Sequence, residues 1–336
     1  MPKMKYFSTT YKAMQLGCWG LTALLFVACT QKATLPKGTV TQELYARQVP
    51  ISPVIDPDNM ALAGDYLVTC SSRSDTLLSF FSRRDLSFKG NEGIKGGGPE
   101  DYTMPWLYNG LGGNLYVRGF NQPNAVAQFA MHKAHPYQLQ KVYQPDEALF
   151  CLNFGTVLDS LLIGYRQTNV ITLSVYDLAH QQLLSHKTFE VDDENPMGSM
   201  QENKGIPAAT REGTVAYAYK CKNRIDFFRL DKQNELQDIC TIEDSQNTNT
   251  QFTHSAEMKT YYVNIVGTKD KFYALCRNGH PDGNSDVLEV YTAQGEPIVT
   301  YQFDIAPLLY CIDEEQGLLY GYRYDMPDTF LVYSLP

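Results

Sequence analysis

Between residues 59 and 336 the chain runs through the same phrase six times. Each phrase has a short apolar stretch, a tight turn, an alternating strand, a polar loop and a second alternating strand. The first alternating strands read DYLVTCS (65–71), GNLYVRG (113–119), DSLLIGYR (159–166), GTVAYAYK (213–220), DKFYALCR (270–277) and QGLLYGYR (316–323). Period-two alternation marks a strand with one face buried. A supersecondary unit that recurs at this spacing cannot bury its own face and must stack on its neighbours. Six such units predict an all-β fold, a six-bladed β-propeller.

The following strands begin at Thr76, Ala125, Val170, Arg224, Asp286 and Thr329. Outer strands can be read for five blades, around 86–89, 138–143, 183–191, 236–242 and 297–303. The sixth has none, because the sequence given stops at Pro336. An open edge is an aggregation liability. Residues 40–49 (VTQELYARQV) are strand-like and precede the first blade, so they are expected to complete the last one. The propeller domain is therefore placed at 40–336.

Residues 1–28 stand apart. Lys3, Lys5 and Lys12 make a basic start, 14–28 is apolar with small-residue breaks, and Val27-Ala28 leads into Cys29. This is the pattern of a secretory signal peptide, too short and interrupted for a spanning helix. A Cys directly after Val-Ala resembles the bacterial lipobox. That resemblance implies cleavage before Cys29, lipid on its thiol, and residues 29–39 as a tether. An exported protein anchored in the Gram-negative envelope follows, at the outer membrane, with the periplasmic and surface sides both open to it.

Removing Lys3, Lys5 and Lys12 from 28 basic residues leaves 25 against 37 acidic ones, a net charge of −12. Nucleic acid and anionic membrane both need a basic field, so neither is an expected partner, and the only membrane contact is the lipid on Cys29. Six cysteines remain: Cys70, Cys151, Cys221, Cys240, Cys276 and Cys311. Disulfides are one reading for an exported chain. The other is that they are mostly free thiols, because Cys70, Cys276 and Cys311 sit in apolar strands of different blades, where a thiol packs as a small hydrophobe.

Loop length separates the two faces. Turns joining strands one to two and three to four share one face and are short. Loops joining strands two to three and crossings between blades share the other; those at 90–105, 192–204, 244–259 and 280–285 are long. Long loops on a rigid scaffold carry function, so a site is expected on the crossing-loop face.

At the first crossing the chain reads Lys95-Gly96-Gly97-Gly98-Pro99-Glu100-Asp101-Tyr102. A glycine-rich loop of this kind after the first blade of a lipid-anchored propeller resembles the TolB-like six-bladed propeller lipoproteins. The resemblance runs through blade number, lipobox and this loop. It implies fold and export, and it supplies no activity or catalytic residue.

Candidate ligand-binding residues come from the same comparison of blades. Arg166, Lys220, Arg277 and Arg323 close their strands at one offset, and Arg73 and Arg118 fall near it. A ring of cations in an acidic protein suits carboxylate, sulfate or phosphate, with Arg able to grip two oxygens at once; the alternative is that each pairs with a neighbouring acid or reaches to water. Gly96, Gly97 and Gly98 can turn backbone amides toward an anion, or simply make a tight turn before Pro99. Glu100, Tyr102 and Trp106 belong to the same loop, and Trp106 is placed equally for packing or for stacking on a ligand. His132 with His135, and the Asp282-to-Asp286 run, lack a full set of ligands. No metal or cofactor is expected.

The leading expectation is a non-catalytic, monomeric binding or scaffolding module that holds a glycan, peptide or envelope protein over the channel mouth. The alternative is a propeller hydrolase or lyase acting on a polysaccharide or peptide, with groups from separate blades converging at the channel.

Overall fold

A computed structural model of the chain describes residues 33–35, 37–38, 40–131, 137–145, 153–192, 194–244, 259–277 and 286–336. Within the unit Thr34–Pro336 the six repeats are six blades around one axis. The first is Asn59–Ala63, Tyr66–Cys70, Thr76–Ser82 and Phe88–Ile94. The second is Tyr102–Gly110, Leu115–Phe120, Val126–Ala130 and Gln138–Tyr143. The third is Asn153–Leu158, Leu161–Gln167, Ile171–Asp177 and Gln182–Thr188. The fourth is Gly205–Ala209, Thr214–Tyr219, Arg224–Leu230 and Leu236–Glu243. The fifth is Tyr262–Gly267, Lys271–Cys276, Val287–Thr292 and Pro297–Phe303. The sixth is Leu309–Asp313, Leu318–Tyr322 and Thr329–Ser334, closed by Arg47–Pro50.

Each blade is an antiparallel meander, with its first strand innermost. Buried side chains lie on both faces of the second and third strands, because each blade is sandwiched between two others. Six apolar clusters result, one at each seam. Phe80 and Tyr102 join blades one and two, Tyr116 and Tyr176 two and three, Val175 and Tyr217 three and four. Phe227 and Tyr291 join four and five, Tyr273 and Tyr333 five and six, Phe330 and Phe81 six and one. The last seam closes the ring. At the channel the innermost strands of blades two and three pair in parallel, Thr156 with Asn109 and Val157 with Gly110.

Ring closure by an N-terminal strand is observed, but residues 40–49 are not one strand. Val40–Leu44 lies parallel to Pro297–Phe303 as a fifth strand of blade five, and Arg47–Pro50 pairs antiparallel with Thr329–Ser334. Asp304 causes the break. Its amide donates to the Leu44 carbonyl at 3.1 Å, and its Oδ1 accepts from the Ala46 amide at 3.0 Å, which diverts the backbone from one blade to the next.

The outer strand of blade one also differs from expectation. It runs Phe88–Ile94 rather than 86–89, pairing Thr76 with Ile94 and Leu78 with Glu92. Gly90 and Gly93 conceal it in the sequence, and the first crossing shrinks to 95–101. The third crossing carries a helix, Pro196–Glu202, whose N-cap Asn195 accepts from the Gly198 amide at 3.0 Å. Among the described residues no helix is long and apolar enough to cross a membrane. Cys70, Cys221, Cys240, Cys276 and Cys311 are free thiols, four of them buried. Cys29 and Cys151 lie outside the described residues.

Candidate functional site

The innermost strands enter the channel from the crossing-loop face, so their first residues line its mouth there. All six blades contribute to a cavity of about 110 Å³ at this level. Three asparagines stand on its wall, Asn59, Asn109 and Asn264, with Asp58 and the indole of Trp106 beside them. Asn59 donates Nδ2 to the Leu107 carbonyl at 2.9 Å, while its Oδ1 is buried with no hydrogen-bond partner among the described residues. A buried acceptor left unpaired costs free energy, so it stands ready for a donor brought by a ligand. Each carboxamide offers both donor and acceptor atoms, which suits hydroxyls and amides rather than a net charge.

Trp106 reaches this wall because the second blade's inner strand bends. Its pairing with Leu115–Phe120 runs from Tyr102 opposite Phe120 to Trp106 opposite Arg118, with the register shifted between. Gly119 makes room for that bend at a φ of 88°, where a Cβ would come within 2.5 Å of the Met104 carbonyl oxygen. Around the mouth the crossing-loop face exposes Val54, Ile94, Met104 and Tyr324.

The cations expected to form a ring are already engaged in part. Arg277 pairs with the wholly buried Asp286 at 3.2 Å, and Arg323 with Asp325 at 2.8 Å and the Ala306 carbonyl at 2.7 Å. Arg73, exposed, lies 3.5 Å from Asp56 and 3.6 Å from Asp58. These acids come from the same blade or the adjoining crossing. Arg118 hydrogen-bonds the phenol of Tyr108, which burial pushes upward and the guanidinium pulls back. Burial pulls the Lys220 amine below its ordinary range, and Lys204 adds to the effect. Arg166 is half-buried and has no ion pair among the described residues.

The glycine loop holds an anion of its own. The Gly98 amide donates to Asp101 Oδ2 at 2.8 Å, and a Cβ on Gly96 would stand 2.2 Å from that oxygen. Gly97 has open space around it and Glu100 is exposed. Tyr102 is buried, edge-on to Phe120 with its hydroxyl on Tyr137, so it packs the seam. His132, His135 and residues 282–285 lie outside the described residues, while Asp286 serves Arg277. Among the described residues no three His, Cys, Asp or Glu side chains gather as metal ligands.

The opposite mouth, framed by the short turns, is wider, with a cavity of about 710 Å³. Its charges largely close on one another. Arg83 grips Asp313 and reaches Glu315 at 3.0 Å, and Glu314 takes the Lys269 amide at 3.1 Å with Lys271 at 3.7 Å.

The fold has many counterparts. The chain is similar to a member of the DUF4221 family from Bacteroides vulgatus, with 10% identity, a TM-score of 0.54, and coverage of 87% of this chain and 97% of that one. It is similar to a protein of Bacteroides fragilis described as exported, with 11% identity, a TM-score of 0.50, and 89% and 98% covered. The β-propeller domain of Cps50 (Swd1) from Myceliophteria thermophila matches with 10% identity, a TM-score of 0.51, and 86% and 100% covered. These likenesses establish a β-propeller. Neither a protein-family model nor a curated protein matches the sequence.

The asparagines were missed by sequence reasoning. For Asn59 and Asn264 the signal was a polar residue near the start of an otherwise apolar inner strand, NMALA and YVNIVG, whereas Asn109 stands near the far end of Tyr102–Gly110. Loop length drew attention to the loops above them instead.

Proposed function

We propose that the chain is a non-catalytic recognition module of the cell envelope, one of the TolB-like propeller lipoproteins, tethered through lipid on Cys29 and holding a glycan at the crossing-loop mouth of its channel. Trp106 among Asn59, Asn109 and Asn264 carries this reading. An aromatic face supplies flat apolar contact, and fixed carboxamides supply directional hydrogen bonds, the combination a sugar ring requires. The small volume of the pocket suits one terminal substituent, so the module reads an end group while Tyr324 and Met104 face the rest of the chain. The larger opposite mouth is the poorer candidate because Arg83 with Asp313 and Glu315, and Lys271 with Glu314, already pair there. The exported Bacteroides fragilis protein of the same fold supports the compartment.

The test is a glycan array followed by calorimetry on the best binder. Trp106→Ala is expected to weaken binding at least tenfold, about 1.4 kcal/mol, in a protein that still folds but melts lower, because the ring also packs against the seam of blades two and three. A folded wild-type protein that binds no glycan overturns the reading. Turnover of a bound glycan would favour the hydrolase or lyase alternative instead.

A further inference from the structure

We infer that Lys37 and Asn223 join in an intramolecular isopeptide bond, with Glu289 as the catalytic acid and base. The three side chains meet at the seam of blades four and five, away from the channel cavities. Lys37 Nζ donates to Asn223 Oδ1 at 2.7 Å and lies 2.6 Å from Glu289 Oε1. Lys37 keeps 15% of its side chain exposed, and Asn223 and Glu289 are each 2% exposed. In this structure amine and carboxamide are hydrogen-bonded, the arrangement that precedes the reaction.

Each group comes from a different part of the chain. Lys37 lies between Ala33–Leu35, a fifth strand on the outer edge of blade four, and Val40–Leu44, Asn223 is in the turn between the second and third strands of blade four, and Glu289 is in the third strand of blade five. Glu289 is oriented by its surroundings. Its Oε2 accepts from the hydroxyls of Tyr262 at 3.0 Å and Tyr291 at 2.7 Å, which leaves Oε1 aimed at Lys37. The Tyr262 ring stands 5.4 Å from Lys37 Nζ, and Cys276 Sγ takes another of its hydrogens at 3.2 Å. A lysine, a carboxamide and a carboxylate fixed within hydrogen-bond reach, two of them buried, have lost the freedom that makes such a reaction slow in water.

The chemistry balances without an oxidant or cofactor. A proton moves from Lys37 Nζ to Glu289 Oε1, and the neutral amine attacks Asn223 Cγ to form a carbon–nitrogen bond. Glu289 delivers its proton to Asn223 Nδ2 and takes one from the new nitrogen. The bond from Cγ to Nδ2 then breaks. Ammonia departs, taking up the remaining proton as ammonium, and Glu289 returns to its carboxylate. One amine and one carboxamide become one substituted amide and one ammonia. Burial is the largest influence on Lys37 and favours its neutral form, whereas Glu289 and then Cys276 oppose it and hold the resting amine charged. Proton transfer to Glu289 satisfies both tendencies, and general acid–base help of this kind suits an amine that burial has desolvated.

The bond would seal to blade four the connection between Ala33–Leu35, which pairs with that blade's outer strand, and Val40–Leu44 on blade five. Force on the N-terminal tether would then reach a covalent link before it reached the pairing of Val40–Leu44.

The experiment is intact-mass spectrometry of the purified, folded protein, followed by tandem analysis of its tryptic peptides. The wild type is expected to be lighter, by the mass of one ammonia, than its sequence calculated with the same N-terminal processing and lipid, with the peptides holding Lys37 and Asn223 recovered as one branched species. Lys37→Arg, Asn223→Ala and Glu289→Gln should each carry full mass. Asn223→Asp should give the same linked product by loss of water. A folded wild type of full mass, with the Lys37 peptide recovered free, overturns the inference. So does a deficit that persists in Asn223→Ala.

Discussion

The guanidinium of Arg83, in the turn between the last two strands of blade one, grips both oxygens of Asp313 at the end of the first strand of blade six. The Asp313 side chain has no exposed surface, and Gln316 completes its shell through the backbone amide at 3.0 Å and Nε2 at 2.9 Å. Blades one and six are the most distant in sequence, so this pair works where the ring closes. A buried carboxylate that loses its cation is costly, whereas a pair replaced together by apolar groups is not. Arg83→Met should therefore destabilise the protein by about 3 kcal/mol, and Arg83→Met with Asp313→Leu should recover most of the loss. Urea unfolding of the two variants decides it. Equal stability of the single variant and wild type would show that Asp313 does not depend on Arg83.

Alkaline pH should unfold the protein through its buried phenols and thiols. Burial pushes the Cys70 thiol from 9.0 up to about 12, and the Tyr320 and Tyr322 phenols from 10.0 up to about 12. Between these limits the unfolded chain has released protons that the folded chain keeps, so the unfolded state binds fewer and stability falls as pH rises. The contribution is complete below about pH 9 and is lost progressively up to about pH 12. Tyrosinate absorbance from these side chains should appear together with loss of the β-sheet signal. A full tyrosinate rise with the sheet intact would contradict the assignment.

Closure of the sixth blade rests on four residues, Arg47–Pro50. A chain begun at Arg47 keeps this strand and one begun at Ile51 lacks it. Both lack Lys37, so the comparison isolates the strand. Removing it uncovers the edge of Thr329–Ser334 and strips Val49 from the cluster of Ile51, Phe330 and Val332. One aliphatic side chain and a set of strand hydrogen bonds correspond to about 3 kcal/mol. The shorter chain should melt several degrees lower. Equal melting temperatures would mean that blade six is stable with three strands.

What the sequence reveals and conceals follows from range. The six blades are legible because alternation in LYVRGF or TVAYAY is written in consecutive residues. Phe88–Ile94 is concealed because Gly90 and Gly93 erase the alternation while the backbone still pairs. The break at Tyr45 and Ala46 depends on Asp304, and no local pattern announces a partner so distant. The offset of Arg166, Lys220, Arg277 and Arg323 is real, but the acids beside Arg277 and Arg323 lie in loops whose path the sequence does not specify. Lys37 reads as part of a tether for the same reason: Glu289 and Asn223 converge on it only after two blades have packed.

That convergence of loop and strand separates two of the ring's cations. Arg277 Nε and Nη2 both donate to Asp286, which has no exposed surface, so the pair fixes the start of the third strand of blade five against the end of the second. Arg277→Met should cost about 3 kcal/mol, because the buried carboxylate would lose the cation that grips it through two nitrogens. Arg166, without an ion pair among the described residues, should tolerate Arg166→Glu within about 0.5 kcal/mol. If anionic groups on a ligand are read by the ring, Arg166→Glu is then the variant that lowers affinity in a folded protein, most strongly at low ionic strength where surface charges act furthest. Thermal melts with binding at two salt concentrations check both halves. A destabilised Arg166→Glu would place Arg166 among the structural cations, and a fully stable Arg277→Met would remove Arg277 from them.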